Sequence, residues 1–194
     1  MIDVIYHFTS KHHLPMILKD GFLKLTESQL RQPTQEEIQK IKQGVVSSLD
    51  KDAGELYKPV VWLTNNGSPS NMGLDGSAFD KKEIRLTLIM REHYQLWTAW
   101  SKKNRANEKW SEGLKHGKDS DSWYISERII PLTGDEVIRI ENIVTGEVFI
   151  DVETGKGSYQ CAVEPARGKF PVNEYYEYIG KSGLKRGDIV NFEI

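Results

Sequence analysis

The sequence predicts an α+β fold: a mostly antiparallel sheet, a few helices and a β-rich C-terminal extension. Short runs of β-branched and aromatic residues recur along the chain, and one early helix carries clear end signals. Strands and helices do not alternate as a doubly wound parallel sheet would require.

Residues 2–6, IDVIY, read as the first strand, and HFTS at 7–10 as the turn that follows, so His7 closes a strand. Leu14, Ile17 and Leu18 recur at helical spacing, and Gly21 stands where a left-handed C-terminal cap belongs. Pro15 is tolerated only in a first turn, which sets the helix start near His12 or His13. Residues 26–58 are polar and irregular, with a capping box at Thr34 and Glu37, and a segment of this length reads as a lid or binding loop. VVWLT at 60–64 is a strand, and the Gly/Ser/Asn-rich residues 65–77 form a loop. In EIRLTLIM at 83–90, Ile84, Leu86, Leu88 and Met90 fall on one face, with Arg85, Thr87 and Ile89 on the other. Residues 92–116 read as helical, whole or broken, anchored by Leu96, Trp97, Trp100 and Leu114. Strands are expected over 122–130 and 136–140, and several short ones separated by glycine turns follow from 147 onward.

The 194 residues, 38% of them apolar, suffice for one core. We divide them into a core at 1–146 and a β-rich extension at 147–194 packed on it. A net charge of −2 argues against a protein mainly devoted to neutralising nucleic-acid backbones, although a local basic patch remains compatible with it. Cys161 is the only cysteine, which leaves no intramolecular disulfide and favours a reducing compartment. The opening residues carry histidines and lysines rather than an apolar leader, and no long apolar run follows; the expectation is a cytoplasmic protein without a membrane span.

Several residues invite a chemical role. His7, His12 and His13 lack zinc-site spacing, since adjacent helical side chains point about 100° apart, and no metal site is assigned. His7 lies where side chains and amides converge on a ligand, against the plainer alternative of a turn histidine satisfied by backbone. Glu127 follows Trp123 and Ile125 on an apolar strand face; it is either buried for a purpose or solvated at an edge. Arg85 either binds phosphate or faces water. Trp97, Trp100 and Trp110 beside SKKNRANEKW suggest stacking on single-stranded nucleic acid, but helical spacing and interspersed acids favour core packing.

In order, YHFTSKHHLPMILKDGFLKL, VVWLTNN and SDSWYISERIIPL resemble the ADP-ribosyltransferase-like superfamily. The first segment is most similar to the opening of its DarT-like, DNA-acting members and related uncharacterised proteins. The resemblance covers the first 25 residues and two later strands. It implies a split, mostly antiparallel sheet clasping NAD as substrate, with ADP-ribose passed to a macromolecular or small acceptor such as nucleic acid or protein. It places ribose hydroxyls on His7, nicotinamide by Phe8 and Thr9, the second motif at Trp62 and Thr64, and the catalytic carboxylate at Glu127. Arg85 or Arg31 would pair with the pyrophosphate. His7 and Glu127 must then face one cleft, because both reach one ribose. Alternatives are an inactive nucleotide- or nucleic-acid-binding module on the same fold, an enzyme of the RNA 2′-phosphotransferase type, and a plain structural protein.

Overall fold

The computed structural model describes residues 2–25, 59–70, 80–104, 120–164 and 180–194. The expected capping box at Thr34 and Glu37, Arg31, Trp110 and Leu114 lie outside the described residues. The fold is mixed α+β with a mostly antiparallel sheet. Two α-helices stand among the described residues, and none there is long and apolar enough to cross a membrane.

The strands are β1 (Val4–Thr9), β2 (Phe22–Leu23), β3 (Val61–Thr64), β4 (Ile84–Ile89), β5 (Gln95–Leu96), β6 (Trp123–Ser126), β7 (Ile130–Pro131), β8 (Val137–Asn142), β9 (Val148–Asp151), β10 (Ser158–Ala162) and β11 (Ile189–Glu193). The helices are α1 (Leu14–Asp20) and α2 (Trp97–Lys103). Seven strands form the main sheet in the order β5-β6-β3-β1-β4-β8-β9, and every neighbouring pair is antiparallel. Two small ladders, β2 with β7 and β10 with β11, complete the fold.

Alternation along β4 sets the layers. Ile84, Leu86 and Leu88 are fully buried on one face, and Arg85, Thr87 and Ile89 lie half-buried on the other, as the sequence pattern predicts. Register carries the apolar face to Ile5 on β1 and to Ile140 on β8. Leu14, Met16 and Leu18 of α1 join this core. Helix α1 starts next to His13, holds Pro15 in its first turn, and ends at Gly21 with φ of 71°, whose N–H donates to the Ile17 carbonyl at 3.0 Å. A side chain at Gly21 would be strained in that left-handed conformation.

Three boundaries differ from the sequence reading. Strand β1 runs through Thr9, so His7, Phe8 and Thr9 lie in a strand rather than at a turn; the β4 ladder continues to the Thr9–Ile84 pair and extends β1 past its apolar run. The run at 122–130 breaks after Ser126. There the Ser126 hydroxyl donates to the Arg128 carbonyl at 2.8 Å and accepts from the Arg128 N–H at 3.1 Å, displacing ladder bonds. Helix α2 begins only at Trp97 and closes at Asn104, whose backbone N–H and side-chain amide both donate to the Trp100 carbonyl at 2.9 Å.

Strand β9 is the edge strand of the main sheet, so the β8–β9 hairpin spans the 146/147 division. Cys161, Val163, Leu184, Val190 and Phe192 pack into the same core as Ile5 and Leu86.

Leu86 is fully buried at the centre of this core, and Leu86→Ala should cost about 2–5 kcal/mol in urea-denaturation stability. Thr87→Ala, on the half-buried face, should cost about 1 kcal/mol or less. Equal losses would contradict the layer assignment.

Candidate functional site

Strand β1 pairs with β4 over six register positions, Val4 through Thr9, but with β3 only at Tyr6–Thr64. Beyond that bridge, His7 Nδ1 lies 2.9 Å from the Trp62 carbonyl oxygen. A carbonyl only accepts, so Nδ1 carries the proton. Burial holds the imidazole below its ordinary pKa; the Trp62 carbonyl partly opposes this and the charge of Lys81 adds to it. In the neutral ring Nε2 is therefore an acceptor, suited to a hydroxyl group.

Glu127 occupies the corresponding end of β6. Register pairs Ser126 with Val61, the first residue of β3, so Glu127 lies at the same end of the sheet as Thr9, with β3 between them. Two strand spacings amount to roughly 10 Å. The chain is tied on both sides of Glu127. Ser126 belongs to the β3 ladder, and Ile130 pairs with Leu23 just beyond α1. The half-buried carboxylate accepts a hydrogen bond from Trp100 Nε1 on α2 at 2.7 Å. Sequence reasoning missed this contact because Trp100 and Glu127 are 27 residues apart and no local pattern links them.

Around Glu127, Trp62 stands edge-on to Trp97 and Trp123, with ring centroids 6.1 and 6.0 Å away. Trp97, Trp100 and Trp123 are buried, and Trp62 is half-buried. The core reading of Trp97 and Trp100 is thus the observed one.

The remaining sequence candidates divide. Phe8 and Thr9 are buried opposite Arg85 and Ile84. Thr64 is fully buried; its hydroxyl lies 3.1 Å from Ser122 Oγ and accepts from the Asn66 N–H at 3.0 Å, bonds that shape the β3 exit. Arg85 is engaged internally. Its Nε and Nη2 donate to Glu141 Oε1 at 3.2 and 2.7 Å, its Nη1 donates to the Gly67 carbonyl at 2.6 Å, and its guanidinium lies 5.3 Å from the Tyr6 ring centroid. A Cβ on Gly67 would approach Arg85 and the Tyr6 ring to 3.3 Å, so this close seating favours glycine. Arg31 lies outside the described residues.

His7 and Glu127 do not share a face by strand parity, contrary to the single-cleft requirement. His7 alternates with Ile5 and Thr9 on the α1 side, whereas the Trp100 bond holds Glu127 on the α2 side with Trp62 and Ile125. The imidazole, however, turns into the sheet plane to reach the Trp62 carbonyl.

On the α1 side His7 belongs to a group of imidazoles. Burial lowers the pKa of His13 to about 4, with the charges of Lys81, His12 and His7 adding to the effect. His12 is lowered by burial and Lys11, against the opposing charges of Glu83 and Glu164.

No family model, curated protein or solved structure matches this chain.

The lowered histidine pKa values predict acid sensitivity. The unfolded chain takes up protons on these rings near pH 6.5, whereas folded His13 does so near 4 and His7 below its ordinary value. Stability from these neutral rings is therefore complete above about pH 6.5 and is lost as pH falls toward 4. Between pH 6.5 and 5, above most carboxylate titrations, wild-type denaturation midpoints should fall more steeply than those of a His7→Gln/His13→Gln variant. Parallel slopes would contradict the assignment.

Proposed function

We propose that this chain is an ADP-ribosyltransferase-like protein that binds NAD at the end of the sheet shared by β1, β3 and β6 and transfers ADP-ribose to a macromolecular or small acceptor. The observation that carries the reading is the fixing of His7 and Glu127 at one end of the sheet, on either side of β3, by Trp62 and Trp100 respectively. The motif resemblance of the first 25 residues, VVWLTNN and SDSWYISERIIPL supplies the substrate class.

The chemistry needs both groups. Cleaving the bond from ribose to nicotinamide develops oxocarbenium-like positive charge, which a fixed carboxylate stabilises electrostatically. Glu127 serves that role and accepts the proton of the incoming nucleophile. His7 Nε2 accepts a ribose hydroxyl and orients the sugar, and Trp62 with Phe8, which share the other face, bounds the nicotinamide side. Arg85 is left out of pyrophosphate binding, because Glu141 and Gly67 already occupy its guanidinium.

A second reading, a nucleotide-binding module without turnover, is favoured by the parity that separates His7 from Glu127 and by the internal bonding of Thr64 and Arg85. Incubation with NAD labelled in its adenylate half and a mixture of protein, DNA and RNA distinguishes the two. The transferase reading predicts nicotinamide release and a labelled acceptor pool. Glu127→Gln should abolish release while calorimetric NAD binding persists. Binding without release by the wild type would establish the module instead, and unchanged release in Glu127→Gln would remove Glu127 from the chemistry.

A further inference from the structure

We infer that Trp100 is a positioning residue for Glu127, its indole N–H fixing one carboxylate oxygen and hence the plane in which the carboxylate meets a substrate. The inference rests on the reading of Glu127 as the reacting carboxylate, but the contact itself can be tested without turnover.

An indole can only donate, and a bond of 2.7 Å to a carboxylate oxygen is in the short, charge-assisted range. Burying tryptophan in this cluster does not require such a bond: Trp97 Nε1 and Trp123 Nε1 are equally buried and have no hydrogen-bond partner. The carboxylate at Trp100 is therefore more than a general device for satisfying indoles here. The donor is itself held. Trp100 is 2% exposed, packs against Val60, Ile125 and Trp62, and its carbonyl receives both Asn104 donors that close α2. The acceptor is held independently, since the Ser126 hydroxyl bridges to both the N–H and the carbonyl of Arg128 and fixes the backbone around Glu127. Backbone and side chain of Glu127 are thus constrained from two elements, β6 and α2. A flexible glutamate held in this way is pre-organised for developing positive charge, because little reorientation remains when the charge appears.

Nitrogen-15 indole NMR on the full chain tests the contact. The Trp100 N–H resonance should shift with pH through a carboxylate titration in the wild type and stop titrating in Glu127→Gln. A Trp100 resonance indifferent to Glu127→Gln would overturn the inference. In nicotinamide-release kinetics, Trp100→Phe should lower kcat about 10- to 100-fold, as loss of a hydrogen bond to a charged group implies, while KM for NAD changes little. An unchanged kcat would also overturn it. If Trp100→Phe does not fold, the Glu127→Gln comparison still decides, because one of five indole resonances should lose its titration. If the wild type releases no nicotinamide but the Trp100 resonance follows Glu127, the positioning contact stands and the transferase reading alone falls.

Discussion

The hydrogen bond from His7 Nδ1 to the Trp62 carbonyl ties β1 to β3 beside the Tyr6–Thr64 pair. On one side, β1, β4, β8 and β9 form a continuous antiparallel block; on the other, β3, β6 and β5 form a second. The Tyr6–Thr64 pair, this imidazole contact, the Arg85–Gly67 bond and a shared core containing Ile5, Val61, Leu63 and Leu86 join them. A carbonyl oxygen can accept a side-chain donor, so this contact adds a cross-strand tie between β1 and β3.

The two halves cover the α2 face of the sheet by different means. Over β3 and β6, Trp62, Trp123 and Trp97 of α2 pack edge to face, and Trp100 of α2 bonds Glu127. Across β4, β8 and β9, the same face carries a ladder of alternating charge. Arg85 pairs with Glu141 at 2.7 Å, Glu141 with Arg139 at 3.1 Å, and Arg139 with Asp151 at 3.0 Å. Glu141 and Asp151 are each about 10% exposed, so paired neighbours offset much of their desolvation cost. The ladder accounts for Arg85 as a structural cation: its partner is directly opposite on β8, and its remaining donor reaches the Gly67 carbonyl.

What was legible in the sequence was governed by local periodicity. The split of β4 into Ile84, Leu86, Leu88 and their polar alternates follows from a two-residue repeat, and α1 follows from Leu14, Ile17, Leu18 and Gly21. What was not legible depended on partners distant in sequence. Strand β1 extends through His7 to Thr9 because β4 lies beside it, and a propensity window ending at Tyr6 contains no sign of β4. Arg85 could not be separated from a phosphate ligand without knowing that Glu141 faces it. The sequence identified Glu127 as an anomalous carboxylate on an apolar face, but its anchoring depends on the three-dimensional placement of Trp100, which spacing alone assigns to core.

The proposed site depends on one spatial claim, that a ligand at the shared end of β1, β3 and β6 touches both His7 and Glu127. A crystal structure of the chain with NAD bound tests that claim most directly. The account predicts the nicotinamide-side ribose at this end of the sheet, a hydroxyl on His7 Nε2 and the anomeric carbon facing the Glu127 carboxylate. NAD seated elsewhere, or in contact with only one of the two residues, would contradict it.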